Sequence, residues 1–427
     1  MAARLGVEVE LVEMKPAHFS PAHTSPLLGE LVCSNSLRSA DPTSAVGLLK
    51  VEMELMGSAV MAAARANQVP AGKALAVERQ GFAAWLDRAV STHPRITRRC
   101  EKLTRLPNSG LTILATGPLT TPELAEDLAR ITGHHQLHFY DAIAPIVTAE
   151  SVDLSRAFWQ DRYGPPGQGD YLNCPLTEEE YQRFYQALTT ARQVPLRDFE
   201  QPRFFEGCLP IEVLAARGPK TLLFGPMKPV GLTDPRTGTR PFAVVQLRKE
   251  DAEGRLLGMV GFQTKLAYPE QQRVFRLIPA LREAEFVRLG AVHRNTFVDA
   301  PRVLDKFLRL KAAPWIMIAG QLSGVEGYVE SAAIGMLCGL NAARWLLGLP
   351  GVLPPPTTAM GGLLTHLGNT TTRDFQPSNI NFGLLPPLPK KVAKRLRGQH
   401  YARRALADLL EWMKEIGLKP RANPPRI

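Results

Sequence analysis

No stretch of this 427-residue chain holds an unbroken apolar run of about 18 residues, which argues against a membrane-spanning helix. Cysteine is scarce and scattered: Cys33, Cys100, Cys174, Cys208 and Cys338 form no CxxC pair. An odd, dispersed set points to reduced thiols rather than a disulfide framework or a zinc site, so no metal is expected. The opening MAARLGVEVELVE has one arginine followed by acidic residues, which is not the pattern of a secretory signal. Internal repeats and low-complexity tracts are missing too. What remains is a soluble, cytoplasmic profile, with 45% hydrophobic and 21% charged residues and length for two or three domains. The excess of 51 basic over 40 acidic residues, a net charge of +11, leans toward a polyanionic partner.

The most informative stretch is WIMIAGQLSGVEGYVESAAIGMLCGLNAARWLL, residues 315–347. Trp315 to Ile318 reads as a strand buried on both faces, running into Gly320, Gly324 and Gly327. A helix with a small-residue face follows, through Ala332, Ala333, Met336, Leu337, Leu340 and Ala343. Glycines that admit close backbone approach, set before a helix N-terminus, form a candidate anion site. A tight αβ connection with no ligand explains three glycines alone about as well.

Upstream, Ala2 to Leu5 reads as the end of a helix stopped by Gly6, and Val7 to Val12 as a strand ending at Glu13. An acidic residue at the end of the second strand of a dinucleotide-binding unit holds ribose hydroxyls. The first strand and its GxGxxG loop do not precede it. Cys33 lies in a polar loop with Ser34, Asn35 and Ser36, which suits a site better than a core. One amphipathic helix is expected over Ala45 to Asn67, then strand–helix from Ala74 to Val90 and a strand from Ile96 to Leu103. Leu111 to Leu114 reads as a strand, Thr116-Gly117-Pro118 as a sharp turn and Thr121-Pro122 as a helix cap. After the GPPGQGD linker, Thr177 and Glu180 form a capping box for a helix from Glu178 to Arg192. PFAVVQLRKEDAEGRLLGMVGFQT reads as a hairpin, Pro269 to Ala280 as a helix and Glu285 to Gly290 as a strand. His293, Arg294 and Asn295 then make a polar triplet that reads as a site wall. The basic run from Lys390 to Arg404, including Lys394 and Arg395, is either a solvated helix face or a phosphate-binding edge.

Eight motifs then carry a resemblance: LVCSNSL (31–37), ILATGPLT (113–120), DYLNCPLTEEEY (170–181), TLLFGPMKPVGLTDPRTG (221–238), PFAVVQLR (241–248), GFQT (261–264), HRNT (293–296) and GVEGYVESAAIG (324–335). Together they resemble the bacterial folate- and FAD-dependent tRNA (uracil-5-)-methyltransferases. The resemblance runs from Gly6 to about residue 385 and implies an α/β fold. A discontinuous Rossmann-like FAD-binding domain (1–165 and 285–370) would carry an inserted α+β domain (166–284), with 371–427 a tail bearing the basic helix. It implies formation of 5-methyluridine in the T-loop of tRNA, with methylenetetrahydrofolate as one-carbon donor, FAD as methylene carrier and reductant, and NAD(P)H as electron source. The implied nucleophile is Cys208, with Cys33 a second thiol near the flavin. Cofactor-binding positions are Glu13, Thr116, Gly117, Gly320, Gly324, Glu326 and Gly327. His293, Arg294, Asn295, Lys394 and Arg395 are substrate candidates. Partners are tRNA, folate and a nicotinamide cofactor, with no stable protein partner evident. A paralogous enzyme acting on ribosomal RNA, or a non-catalytic flavin- or RNA-binding remnant, stand as alternatives. The family's leading strand and glycine loop are not found ahead of Gly6, and a start codon placed too late is the simpler expectation. On that expectation the 427-residue chain is poorly soluble or nearly flavin-free, while one extended upstream by roughly 20 residues is yellow.

Overall fold

The computed structural model describes residues 1–134, 137–195, 209–369 and 375–425. Two hydrophobic cores organise it. The first gathers residues from Leu31 to Leu128 and from Phe297 to Met413. The second gathers only residues between Val147 and Ala284. The chain therefore leaves one core, builds another, and returns.

The first core is α/β. Strand Val9–Glu13 pairs in parallel with Ile96–Cys100, and Thr112–Leu114 pairs in parallel with Ala313–Ile318, which is also paired antiparallel with Arg309–Leu310. A small antiparallel sheet joins Ser36–Ser39, Ala74–Val77 and Gln68–Val69. Helices Ala45–Leu55, Tyr328–Leu346, Ala359–Leu367 and Arg397–Glu415 cover the strands. Leu406, Leu409, Trp412 and Met413 are buried in this core, so the C-terminal helix is part of it.

Local chemistry explains the boundaries. The helix expected over Ala45 to Asn67 is two, Ala45–Leu55 and Ala59–Ala66. Gly57, at φ +75°, breaks the first, and the Ser58 hydroxyl accepts from Met61 N–H to start the second. Thr121 stands at the start of helix Pro122–Thr132, but its side chain makes no capping hydrogen bond there. The Thr177–Glu180 capping box is present, on helix Glu178–Thr190. The strand read as Trp315 to Ile318 runs from Ala313 to Ile318, and it is buried throughout only over its last three residues. Trp315 is 38% exposed and donates to Pro107 O at 3.0 Å. The C-terminal helix begins at Arg397, with Lys394 and Arg395 in a preceding 3-10 turn, so the basic run from Lys390 is not one helix.

The second core lies on a six-stranded sheet ordered Phe286–Arg288, Ile146–Thr148, Leu256–Met259, Ala243–Lys249, Tyr171–Leu176, Phe158–Trp159. Every pairing in it is antiparallel. Its strands start ahead of residue 166 and end beyond 284. A two-stranded antiparallel ribbon, Leu137–Ala142 with Val292–Phe297, carries the chain out and back.

Candidate functional site

The polar loop that drew attention in the sequence lies where the two cores meet. Arg248, on the inserted sheet, donates to Asn35 Oδ1 through Nη2 at 2.7 Å and Nε at 3.2 Å, and to Ser34 Oγ at 3.1 Å. Asn35 is fully buried, and its amide donates to the carbonyls of Val77 and Lys249. Arg79, the first residue of helix Arg79–Ser91, donates to the carbonyls of Leu31 and Cys33. Its Nε reaches Glu250 on the inserted unit at 2.9 Å. Arg288, on the edge strand of the inserted sheet, donates to the carbonyls of Val32 at 3.2 Å and Cys33 at 3.1 Å. Three guanidinium groups thus fix five consecutive residues. Their planar forks reach two acceptors each within this loop, which an ammonium does less well.

Cys33 N–H completes the junction by donating to the Tyr328 hydroxyl at 2.9 Å. Tyr328 opens the helix that follows Gly327, so the thiol loop touches the glycine-rich segment directly. Burial, then the nearby Asp141 carboxylate, pushes the Cys33 thiol up to about 12, while Arg79 and Arg288 pull it down. Burial also raises Tyr328 and lowers Arg288. Glu326 is 6% exposed, and burial followed by Asp141 holds its carboxyl well above the usual range. Its Oε2 accepts from Gln321 Nε2 at 2.6 Å. A carboxyl, a phenol and a thiol therefore surround this point, each holding its proton more tightly than in water because of burial.

The glycine segment takes the shape its residues demand. Gly320, Gly324 and Gly327 have φ of +70°, +98° and +106°. A Cβ on Gly327 would meet Glu330 Oε2 at 2.6 Å and Arg38 Nη2 at 3.3 Å. Glu330 is fully buried, pairs with Arg38 and accepts from Ile380 N–H. The helix start read as a phosphate seat thus has Glu326 and Glu330 beside it.

Thr116 and Gly117 follow strand Thr112–Leu114, and Ala319 N–H donates to Leu114 O at 2.9 Å, which brings the Gly117 and Gly320 turns to one sheet edge. Glu13 ends its own strand, accepting from Lys15 N–H at 3.0 Å. His293 and Asn295 fall within strand Val292–Phe297 rather than after one, and two residues apart in a strand they share a face. Asn295 is buried, and His293 lines a cavity of about 1230 Å³ with His18, His134, His138 and Tyr140. Burial, then Arg288, lowers the His293 pKa. Lys394 and Arg395 are exposed on the first core, and nothing joins them to Cys33 among the described residues. Cys208 lies outside the described residues. Arg79, Arg288 and Asp141 had no local signal in the sequence; Arg248 closes the PFAVVQLR motif, and the polar character of Ser34 and Asn35 pointed toward their partners.

This arrangement, a parallel-strand α/β core interrupted by an antiparallel sheet, is a GidA-type fold. Two crystal structures of Aquifex aeolicus GidA match it with TM-scores of 0.67 and 0.66, covering 98% and 97% of this chain and 71% and 75% of theirs, at 14% and 13% identity. The chain belongs to the glucose inhibited division protein A family, whose model matches residues 1–350, and within it to the methylenetetrahydrofolate--tRNA-(uracil-5-)-methyltransferases. The enzyme of that name, TrmFO, from Desulfotalea psychrophila is 55% identical over 96% of this chain and 93% of its own length. Those of Geobacter sulfurreducens and Syntrophus aciditrophicus are 55% and 53% identical, each over 96% of this chain and 94% and 93% of theirs.

Proposed function

We propose that this chain is a methyltransferase that methylates carbon 5 of a uridine in tRNA, with methylenetetrahydrofolate as the one-carbon donor. The observation that carries this reading is identity above half with enzymes of that name over nearly the full length of both chains. The finer reading places the uridine in the T-loop, with FAD as the flavin and NAD(P)H as the source of electrons, in the cytoplasm. No helix among the described residues is long and apolar enough to cross a membrane.

Support for a flavin dinucleotide comes from open backbone at the right edge. Gly117 holds φ +71° at the carboxyl end of a parallel strand, and an added Cβ there would meet nothing within 4 Å. Ligands of open α/β sheets bind at such strand ends. Glu13 would hold ribose hydroxyls, Thr116 and Gly117 would line the dinucleotide, and Gly320, Gly324, Glu326 and Gly327 would hold the ring end. No described residue supplies a glycine-rich pyrophosphate turn ahead of Val9–Glu13. When bound, the flavin supplies electrons for reducing the transferred one-carbon unit.

The chain's own residues handle the pyrimidine. Carbon 5 of uracil becomes nucleophilic only after a thiolate adds to carbon 6. Cys208 is assigned that addition and Cys33 the role of second thiol, with Glu326 positioned to hold a proton close by. His293 and Asn295, with Arg294 between them, stand near the substrate, and Lys394 and Arg395 contribute positive charge for the RNA backbone. The test is mass spectrometry of nucleosides from a strain lacking this gene. Loss of 5-methyluridine from tRNA, restored by re-expression, is the expected result. Loss from ribosomal RNA alone would move the substrate, and unchanged nucleosides would overturn the enzyme reading.

A further inference from the structure

The loop carrying Cys33 is held by charge in a way its fold alone does not require. Two guanidinium groups from different units, Arg79 of the first core and Arg288 of the inserted sheet, donate to one main-chain oxygen, that of Cys33, at 2.9 and 3.1 Å. Like charges placed this close repel one another, and the one Glu250 carboxylate faces both guanidinium groups, so a further negative charge beside them is favoured. Glu250 balances Arg79 directly. Arg288 has no ion pair among the described residues, and its Nε is buried without a hydrogen-bond partner. The other groups facing the sulfur are Asp141, Glu326 and the Tyr328 hydroxyl. The first two oppose a negative sulfur, so the two arginines are the cations that favour one.

We propose that Arg79 and Arg288 are positioning residues for Cys33: by sharing its carbonyl they lock the thiol at the seam between the two units, and they supply the positive charge its reactive form needs. The role deepens the proposed function, because it rests on Cys33 taking part in the chemistry. The inserted unit is then wired to the thiol. Any shift of the edge strand Phe286–Arg288 moves the group that favours the thiolate.

The experiment is the rate of Cys33 alkylation by iodoacetamide in the full chain, followed by peptide mass spectrometry, with exposed Cys100 in the same molecule as reference. Alkylation follows the thiolate fraction. Arg288→Gln and Arg79→Gln should each slow Cys33 about tenfold relative to Cys100, the effect of losing one nearby opposite charge. Arg288→Lys should keep the rate within a few-fold of the parent, since it retains charge while losing the fork. A purely structural pin predicts the opposite sign, because a loosened loop exposes the sulfur and speeds its reaction. An unchanged or faster rate in both glutamine variants overturns the proposal; if one variant fails to fold, the other decides. Full tRNA methylation by Cys33→Ala would instead remove the thiol from the reaction, an outcome read separately from the alkylation result.

Discussion

Glu52 and Ala359 stand 307 residues apart in the chain and are joined by a 2.7 Å hydrogen bond from the Ala359 N–H to Glu52 Oε1. Oε2 accepts from Met360 N–H at 2.9 Å, so a carboxyl on helix Ala45–Leu55 caps helix Ala359–Leu367 from outside. Burial raises the Glu52 pKa to about 8, against the pull of those two N–H groups. A carboxyl raised in the folded state favours folding in its protonated form. Its contribution is full below about pH 4.5 and is lost as pH rises through about 8. Thermal melting of Glu52→Gln against the parent should therefore show the variant gaining on the parent between pH 5 and 9, by a few kcal/mol at most. A pH-independent difference would rule this out.

Asn35 makes the next prediction. Its side chain oxygen is the acceptor for Arg248, a residue only 8% exposed. Asn35→Ala removes the acceptor of two of that guanidinium's hydrogen bonds, leaving Ser34 Oγ and the Glu250 carboxylate at 3.8 Å, and should cost about 1.5–3 kcal/mol, read from the denaturant midpoint. Arg248→Met in the same chain should recover part of the loss, since no under-bonded guanidinium is then left buried.

Gly324 tests the glycine segment. At φ +98°, alanine is strained, and its Cβ would lie 2.5 Å from the Phe375 ring. Gly324→Ala should lower stability by about 1–3 kcal/mol from the backbone alone, with the ring clash added. Phe375→Leu in the same chain should relieve the clash and leave the backbone part, so partial rescue is expected in a melting experiment.

The two thiols should separate by function. Cys208→Ala is expected to abolish methyl transfer to tRNA while flavin binding persists, measured by nucleoside analysis and flavin absorbance. Full methylation by that variant would end the nucleophile assignment.

Lys391, Lys394, Arg395 and Arg397 are all exposed, the first three just ahead of the C-terminal helix and Arg397 at its first position. Neutralising all four should weaken tRNA binding and reduce the salt slope by roughly one for each phosphate no longer neutralised. An unchanged slope returns this surface to a solvated face.

The sequence was legible where neighbours decide conformation. Strand Val9–Glu13 after the Gly6 stop, the Thr177–Glu180 box and the hairpin of Ala243–Lys249 with Leu256–Met259 all rest on signals within a few residues. It was opaque where a distant partner decides. The His293–Asn295 triplet became mid-strand because Leu137–Ala142 pairs with it. Arg288 reaches the Cys33 carbonyl across 255 residues, and no periodicity or cap marks it. The motif resemblance drew attention to Cys33, but the charges that hold it come from tertiary structure alone.

The ribbon of Leu137–Ala142 and Val292–Phe297 has one more consequence. Its six paired positions, extended by Ile143 N–H to Ala291 O, bring the chain's exit and return side by side. Opposed residues in an antiparallel pair lie about 5 Å apart, a gap that a two-residue turn closes. Topologically, then, the inserted sheet hangs from a stem, as a loop hangs from a hairpin. Such a joint lets a whole unit be enlarged, replaced or lost in evolution without breaking the core that bears it. The arginines at the seam are what tie a detachable module to a fixed chemistry, so a graft that omits Arg248, Glu250 and Arg288 would leave Cys33 held only from the first core, by Arg79 and Tyr328.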